Sequence, residues 1–464
     1  MKQANEVPVT QDLVLIGGGH SHVIALKMLS MHHLPGVRIT LISNTCLTPY
    51  SGMLPGLIAG HYTYEEVHID LARLCRALGV RFIEDVVVGL DLETQAISCS
   101  NHPDFHYDVL SIDIGSSPDI SSISGAKEYS HGVKPVDSFL SYWGALQNRV
   151  LNLETGDQTL DIALVGAGAS GVEVALAMQH ALKTKLKAAK CSVDIQFHIL
   201  SGSQYILPSH NPKVRARYQK VLDKRKITVH KDFKVTRVEK ACLFDDSDPA
   251  QIKSQMADEI IWAISASAPT WPKLSGLRCS DKGFIQVNEC LQSFSHSNVF
   301  ATGDIADVPD HPRPKAGVFA VRQGKPLAEN LVRALQGKVL KGFNPQTRFL
   351  SLVSTGDKYA VASRGNWALS GKWVWRWKDA IDQKFMRSLN ELGLQQANTE
   401  TQDKELMSMR CGGCGAKVGQ PILQRVIQQV SLSHSESFSP KAQMLLSGPD
   451  DAAVFSVPED KLLV

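Results

Sequence analysis

Two glycine-rich turns, each closing a short apolar run and opening a helix-like stretch, constrain this chain more than any other feature. The first stands in DLVLIGGGHSHVIAL, residues 12–26, and the second in DIALVGAGASGVEVALAM, residues 161–178. An apolar run of this length bounded by glycine suits a buried strand, and glycine permits a tight reversal into a helix. Further apolar runs follow each helix, RITLIS at 38–43 and VDIQFHIL at 193–200. The order strand, helix, strand therefore occurs twice, and such units demand parallel strands. The expected fold class is α/β, with two Rossmann-like dinucleotide-binding domains.

In the first turn Gly17, Gly19 and His22 occupy the three places of a G-x-G-x-x-G pattern, with Gly18 and His20 between them. The first glycine allows the turn. The second lets the backbone approach a pyrophosphate at the positive end of the helix. His22 departs from the pattern, because the third place normally packs helix on strand. The end of the second strand, where a carboxylate would hold the ribose, carries Ser43 and Asn44. In the second turn Gly166, Gly168 and Gly171 all match, with Ala169 opening the helix. Glu173 reads either as a first-turn acid favoured by the helix dipole or as a group facing a nicotinamide. The next strand ends in Ser201, Gly202 and Ser203, neither the acid that selects NADH nor an arginine for a 2'-phosphate, which leaves NADH and NADPH both open.

The 464 residues suffice for two or three cores, and 43% hydrophobic with 20% charged content is that of an ordinary soluble chain. A net charge of +3 gives no electrostatic argument for nucleic acid. The polar start MKQANEVPVTQD and the lack of a run of roughly 20 apolar residues point to the cytoplasm, with any membrane contact peripheral, on the inner face. Of nine cysteines only Cys411 and Cys414 form a close pair, which suits reduced thiols.

The stretch VFATGDIADVP, 299–309, resembles the second FAD signature of the pyridine nucleotide-disulfide reductase superfamily, following the two glycine turns. DVLSIDIGSSP (108–118) and ADEIIWAISASAP (257–269) resemble the strands that enter and leave its nicotinamide domain. The likeness is to the type II NADH dehydrogenase and sulfide:quinone oxidoreductase branch. It implies FAD on Gly17, Gly18, Gly19, His20, Ser43, Gly303 and Asp304, with Asp304 on the ribitol. NADH or NADPH would lie on Gly166, Gly168, Ala169, Gly171 and Glu173. TPYSGMLPGLIAGHY (48–62) and PRPKAGVFAVRQGKPLAENL (312–331) are similar to flavoproteins fused to selenide, water dikinase. They place Tyr50, Lys315, Ala316 and Gly317 near the flavin, with Glu173 and Lys315 as catalytic candidates. No cysteine pair follows the first turn, so a dithiol relay is not expected.

Trp373, Trp377, Ile381 and Phe385 recur every four residues as one helical stripe among Lys372, Arg376 and Lys378. The stripe reads as a helix closing the flavin domain, a homodimer contact, or a face lying on a membrane. The last segment, with MRCGGCGAK and GPDDAAVF, resembles the N-terminus of selenide, water dikinase. That likeness implies a reactive Cys414, a Lys417 acting with ATP, and Asp450 and Asp451 binding Mg. The chain as given, ending at Val464, is not expected to make selenophosphate.

The expected organisation is an FAD domain from 10–120 and 281–345, an NAD(P) domain at 121–280, a C-terminal amphipathic or interface region at 346–390 that includes the helical stripe, a linker at 391–406 and a dikinase-like segment at 407–464. The expected function is an FAD-dependent NAD(P)H oxidoreductase delivering electrons to a quinone or a selenium or sulfur compound. The rival readings are a selenophosphate synthetase fusion and a redox-sensing flavoprotein without turnover.

Overall fold

The computed structural model describes residues 8–391, apart from 119, 121–122, 154–158, 192, 265 and 347–348. Strand β1 (Gln11–Ile16) leads through Gly17–Gly19 into helix α1 (His20–Leu29) and returns as β2 (Val37–Ser43). With β3 (Arg81–Glu84), β4 (Val109–Ile112) and the distant Val299–Ala301 these make one parallel sheet, in the order 299–301, β4, β1, β2, β3. Leu13, Leu15, Leu41 and Phe300 are fully buried, as strands covered on both faces require.

The second sheet is built the same way. Strand β5 (Thr159–Val165), helix α2 (Ala169–Ala189) and β6 (Asp194–Leu200) are joined by β7 (Ile227–His230) and β8 (Glu259–Trp262). The order is His131–Gly132, β8, β5, β6, β7, all parallel. Two Rossmann-like units are thus present. The chain passes between them along a short antiparallel pair, Ser117 and Pro118 against Ser267 and Ala266.

After β9 (Val299–Ala301), helix α3 (Gly317–Leu335) lies across α1. Their close approach needs Gly324, whose Cβ would stand 2.6 Å from Ile24 Cβ and 2.8 Å from the Ser21 carbonyl. Ser21 Oγ donates to the Ala320 carbonyl at 2.7 Å and ties the crossing.

In the region 346–390 the helical stripe of 372–389 forms a helix, and strands that the sequence does not announce precede it. The region opens as a three-stranded antiparallel sheet, Ser351–Ser354, Ala360–Arg364 and Trp367–Gly371, before helix α4 (Lys372–Asn390). These strands are short and rich in Ser and Ala, so they show too little alternation to be read from sequence. Trp367 accordingly belongs to a strand. In α4 the inward face carries Val374, Lys378, Asp382, Met386 and Leu389, while Trp373, Trp377 and Ile381 are exposed. Three residues of the stripe point outward, its last member Phe385 packs on Tyr50 with ring centroids 4.8 Å apart, and a polar pair points in. No helix among the described residues is long and apolar enough to cross a membrane.

Candidate active site

The first turn is shaped by what lies beneath it. Gly17 has φ +94°, and a Cβ there would come within 2.4 Å of the Asp113 carbonyl, so only glycine fits. Helix α1 starts on Gly19 with no side-chain cap and no acid in its first turn. Its cap comes from the sequence-distant Asp113, just past β4, whose Oδ2 accepts from the backbone N–H groups of Ser21 at 2.9 Å and His22 at 3.2 Å. Burial pushes the Asp113 carboxyl up to about 7, and the neighbouring Asp304 adds to this while the two amides oppose it.

His22 fills the third place of the pattern as a buried ring. Its Nδ1 donates to the Gly17 carbonyl at 2.7 Å, and its Nε2 accepts from Ser111 Oγ at 2.8 Å. That assignment follows because a carbonyl only accepts, and burial holds the ring neutral with a pKa of about 4. The missing strand-end carboxylate has a neighbour instead. Ser43 is in register with Glu84, so β3 delivers an acid beside the place where β2 lacks one.

His20, at the start of α1, is half-buried and edge-on to Tyr50, with ring centroids 5.4 Å apart. Its Nε2 and the Thr302 Oγ1 are buried with no hydrogen-bond partner among the described residues. Asp304 Oδ2 accepts from Ser116 Oγ at 2.9 Å and from Lys134 Nζ at 3.1 Å. Gly303 N–H donates to Gln323 Oε1 at 2.7 Å. Ala316 caps α3 and Gly317 opens it beside Ser51. Lys315 Nζ donates to the Ala306 carbonyl and lies 4.1 Å from the Phe284 ring centroid. Burial lowers its pKa, against the pull of Asp307 and Asp304.

The second turn repeats the first with one difference. Gly166 has φ +118°, and a Cβ there would meet the Ala263 carbonyl at 2.6 Å. A Cβ on Gly171 would stand 1.9 Å from the Gly166 carbonyl. Both are required by the protein itself. A Cβ on Gly168 would meet nothing within 4 Å, so the protein leaves that place open. Ala169 begins α2 directly above it.

From the first turns of α2 a polar cluster, buried at Lys378 and Asp382 and half-buried at Glu173 and Tyr50, runs back to the first cradle. Glu173 Oε1 accepts from the Ser354 N–H at 2.5 Å. Burial raises its pKa, and Lys378 is the main opposing charge. Lys378 Nζ donates to Asp382 Oδ2 and to the Gly52 carbonyl, both at 2.6 Å. Asp382 Oδ1 accepts from Tyr50 Oη at 3.1 Å, and Tyr50 touches His20. Burial pushes both Asp382 and Tyr50 upward. Lys378 and Asp382 do not stand out as interior residues in the sequence, because the neighbouring apolar stripe has the spacing of a buried face. Their i, i+4 spacing within an amphipathic helix was the available signal.

These residues fit two dinucleotides. The first cradle has orphaned polar atoms on His20 and Thr302 and a helix end built from glycines. The second has an open position at Gly168. Among the described residues no group of three or more His, Cys, Asp or Glu is placed to hold a metal ion. Cys414, Lys417, Asp450 and Asp451, with the linker and dikinase-like segment, lie outside the described residues.

A family model described as pyridine nucleotide-disulphide oxidoreductase matches residues 11–324. The chain is 23% identical over 353 residues to the NADH dehydrogenase-like protein YutJ of Bacillus subtilis, covering 75% of this chain and 90% of that protein. It is 24% identical over 389 residues to the type II NADH:quinone oxidoreductase NdhA of Mycobacterium tuberculosis, covering 78% and 81%. The sulfide:quinone oxidoreductase of Aquifex aeolicus superposes with a TM-score of 0.69 at 18% identity, covering 88% of this chain and 99% of that one. NDH2 of Plasmodium falciparum, solved in complex with NADH, gives 0.63 at 16% identity, covering 82% and 99%. At such identities these two structures show a shared fold. The chain belongs to the pyridine nucleotide-disulphide oxidoreductase family and is an FAD-dependent NAD(P)H oxidoreductase passing electrons to a small-molecule acceptor.

Proposed function

We propose that this protein oxidises NAD(P)H and reduces a quinone. The observation that carries the reading is the polar line Glu173, Lys378, Asp382, Tyr50, buried at Lys378 and Asp382 and half-buried at its ends, which runs from the second cradle to His20 in the first. FAD would be held by Gly17, Gly18, Gly19, His20, Ser43, Gly303 and Asp304, with Glu84 beside Ser43. NADH or NADPH would be held by Gly166, Gly168, Ala169 and Gly171. When bound, FAD supplies hydride acceptance and two-electron delivery.

The chain's own residues then have distinct tasks. Asp304 orients the ribitol. Lys315 and the α3 amino end at Ala316 and Gly317 set a positive field at the ring. Quinone reduction balances as NAD(P)H + H⁺ + Q giving NAD(P)⁺ + QH₂, so one proton must come from the medium. Glu173, held toward its protonated form by burial, and the Lys378 ammonium are assigned to its delivery. The relatives named for quinone support this acceptor class. The exposed Trp373, Trp377 and Ile381 support a lipid surface as its source, or a homodimer face. Sedimentation with anionic vesicles, against a doubled mass in gel filtration, separates those two.

A selenium or sulfur acceptor is the second reading, carried by the Cys411, Cys414 and Lys417 pattern, with Asp450 and Asp451 as candidates for Mg and ATP. The test is anaerobic. NADH or NADPH should bleach the flavin band near about 450 nm, and a short-chain quinone should restore it. Restoration by polysulfide or selenite, with quinones inert, would overturn the quinone assignment. A yellow protein that neither coenzyme bleaches would be a sensor.

Asp304→Ala should weaken FAD retention by on the order of tenfold to a hundredfold, the loss of a hydrogen bond to a charged group. Flavin recovered with the protein after gel filtration at low concentration checks this. Undiminished flavin would remove Asp304 from the site.

A further inference from the structure

Asp113 does something at the first cradle that the glycine pattern does not require. The residue is 2% exposed, and it sits beneath the turn between two glycine segments. A Cβ on Gly19 would lie 2.2 Å from its Cγ, and a Cβ on Gly303 would lie 2.2 Å from its Oδ1. It takes the second and third amides of α1, and α1 has no acid or side-chain cap of its own. The backbone carbonyl of the same residue accepts from Gly19 N–H at 3.2 Å. One residue thus pins the turn from below with two backbone-directed contacts to α1 and one to Gly19.

We propose that Asp113 is a positioning residue of the FAD phosphate turn, and that FAD binding is coupled to proton uptake by its carboxyl group. The coupling rests on FAD occupying the first cradle, as assigned above. A pyrophosphate and a carboxylate then draw on the positive end of the same short helix. Bringing the phosphates in makes the carboxyl harder to ionise, and reciprocally the neutral carboxyl favours FAD.

Two histidines, one carboxylate and one lysine stand around Asp113. His20 and His22 on α1 are held neutral by burial, each with a pKa of about 4. Asp304 faces it from the turn after β9, paired with Lys134 from the segment before Val136–Leu151. Burial places the Asp113 transition at about 7, within reach of a pH series that keeps the protein folded. Because the folded carboxyl titrates high, the favourable neutral form is present at low pH and is lost as pH rises through that value.

The experiment dilutes the full-length holoprotein and reads released FAD by its fluorescence, giving Kd between about pH 5.5 and about pH 8.5. The wild type should be flat at the acid end. Above about pH 7 its Kd should rise toward tenfold per pH unit, the limit for one linked proton. Asp113→Asn keeps an oxygen for the two amides and should give a flat profile, with a Kd no weaker than the wild type at the acid end. A pH-independent wild-type Kd overturns the coupling, and so does an asparagine variant that binds FAD and keeps the wild-type slope. If the variant does not fold, the wild-type profile alone decides. A colourless protein defeats the FAD assignment and this inference together, whereas a yellow protein with a flat profile defeats only the inference.

Discussion

Replacing Gly168 by valine is expected to abolish reduction by NADH or NADPH while leaving the FAD content unchanged. The position is open in the protein, with nothing within 4 Å of an added Cβ, and its φ of −70° is ordinary for any residue. Valine therefore folds there and projects its methyl groups where a pyrophosphate would meet the α2 amides. Stability should fall by about 1 kcal/mol or less, the cost of valine at a helix N-cap. Coenzyme affinity should fall on the order of a hundredfold or more, about 2.7 kcal/mol. Stopped-flow bleaching against coenzyme concentration measures it. Gly171→Ala is the contrasting change, because its Cβ would meet the Gly166 carbonyl at 1.9 Å and must disrupt the turn itself. Should the valine variant lose FAD and keep coenzyme binding, the two cradles are assigned the wrong way round.

Lys378→Ala should cost about 3–5 kcal/mol of stability, because it leaves Asp382 buried without its counter-charge. The Asp382 carboxyl is already displaced upward by burial, and loss of the ammonium displaces it further. A carboxyl whose folded pKa is raised stabilises the protein below its unfolded pKa and loses that contribution as pH rises. The variant's deficit should accordingly be larger at alkaline than at acid pH. Urea unfolding at both ends of the range measures it. Lys378→Met combined with Asp382→Leu removes both charges and should recover most of the stability. Quinone-driven reoxidation should stay slow in both variants if the Lys378 ammonium delivers the proton with Glu173. Full turnover in the folded double variant would reduce the pair to a packing device.

Both glycine turns, with their strands and helices, were legible because strand length, turn and helix onset are local properties of adjacent residues. So was the Thr302-Gly303-Asp304 signature. Asp113 was not, because it caps a helix some ninety positions earlier in the chain and sits where nothing in its own neighbourhood marks it. His22 was visible as a departure, yet its compensation by Ser111 depends on strand pairing. Glu84 was hidden for the same reason, since only the register of β2 and β3 sets it beside Ser43. The polar pair of α4 was legible as residues but not as an interior face. An apolar stripe is ordinarily the buried side, and here packing puts Lys378 and Asp382 inward.

The two-residue antiparallel pair between Ser117–Pro118 and Ala266–Ser267 has an architectural consequence. The polypeptide leaves the first sheet and re-enters it at touching backbone positions. The coenzyme unit is therefore a cassette spliced into one loop of the flavin unit, whose two cut ends already lie side by side. Joining them with a tight turn would close the first sheet on itself. The strands of 351–371 would lose the support of the coenzyme unit, on which Val353, Val361 and Ala368 pack, and the excised cassette would carry neighbouring termini of its own.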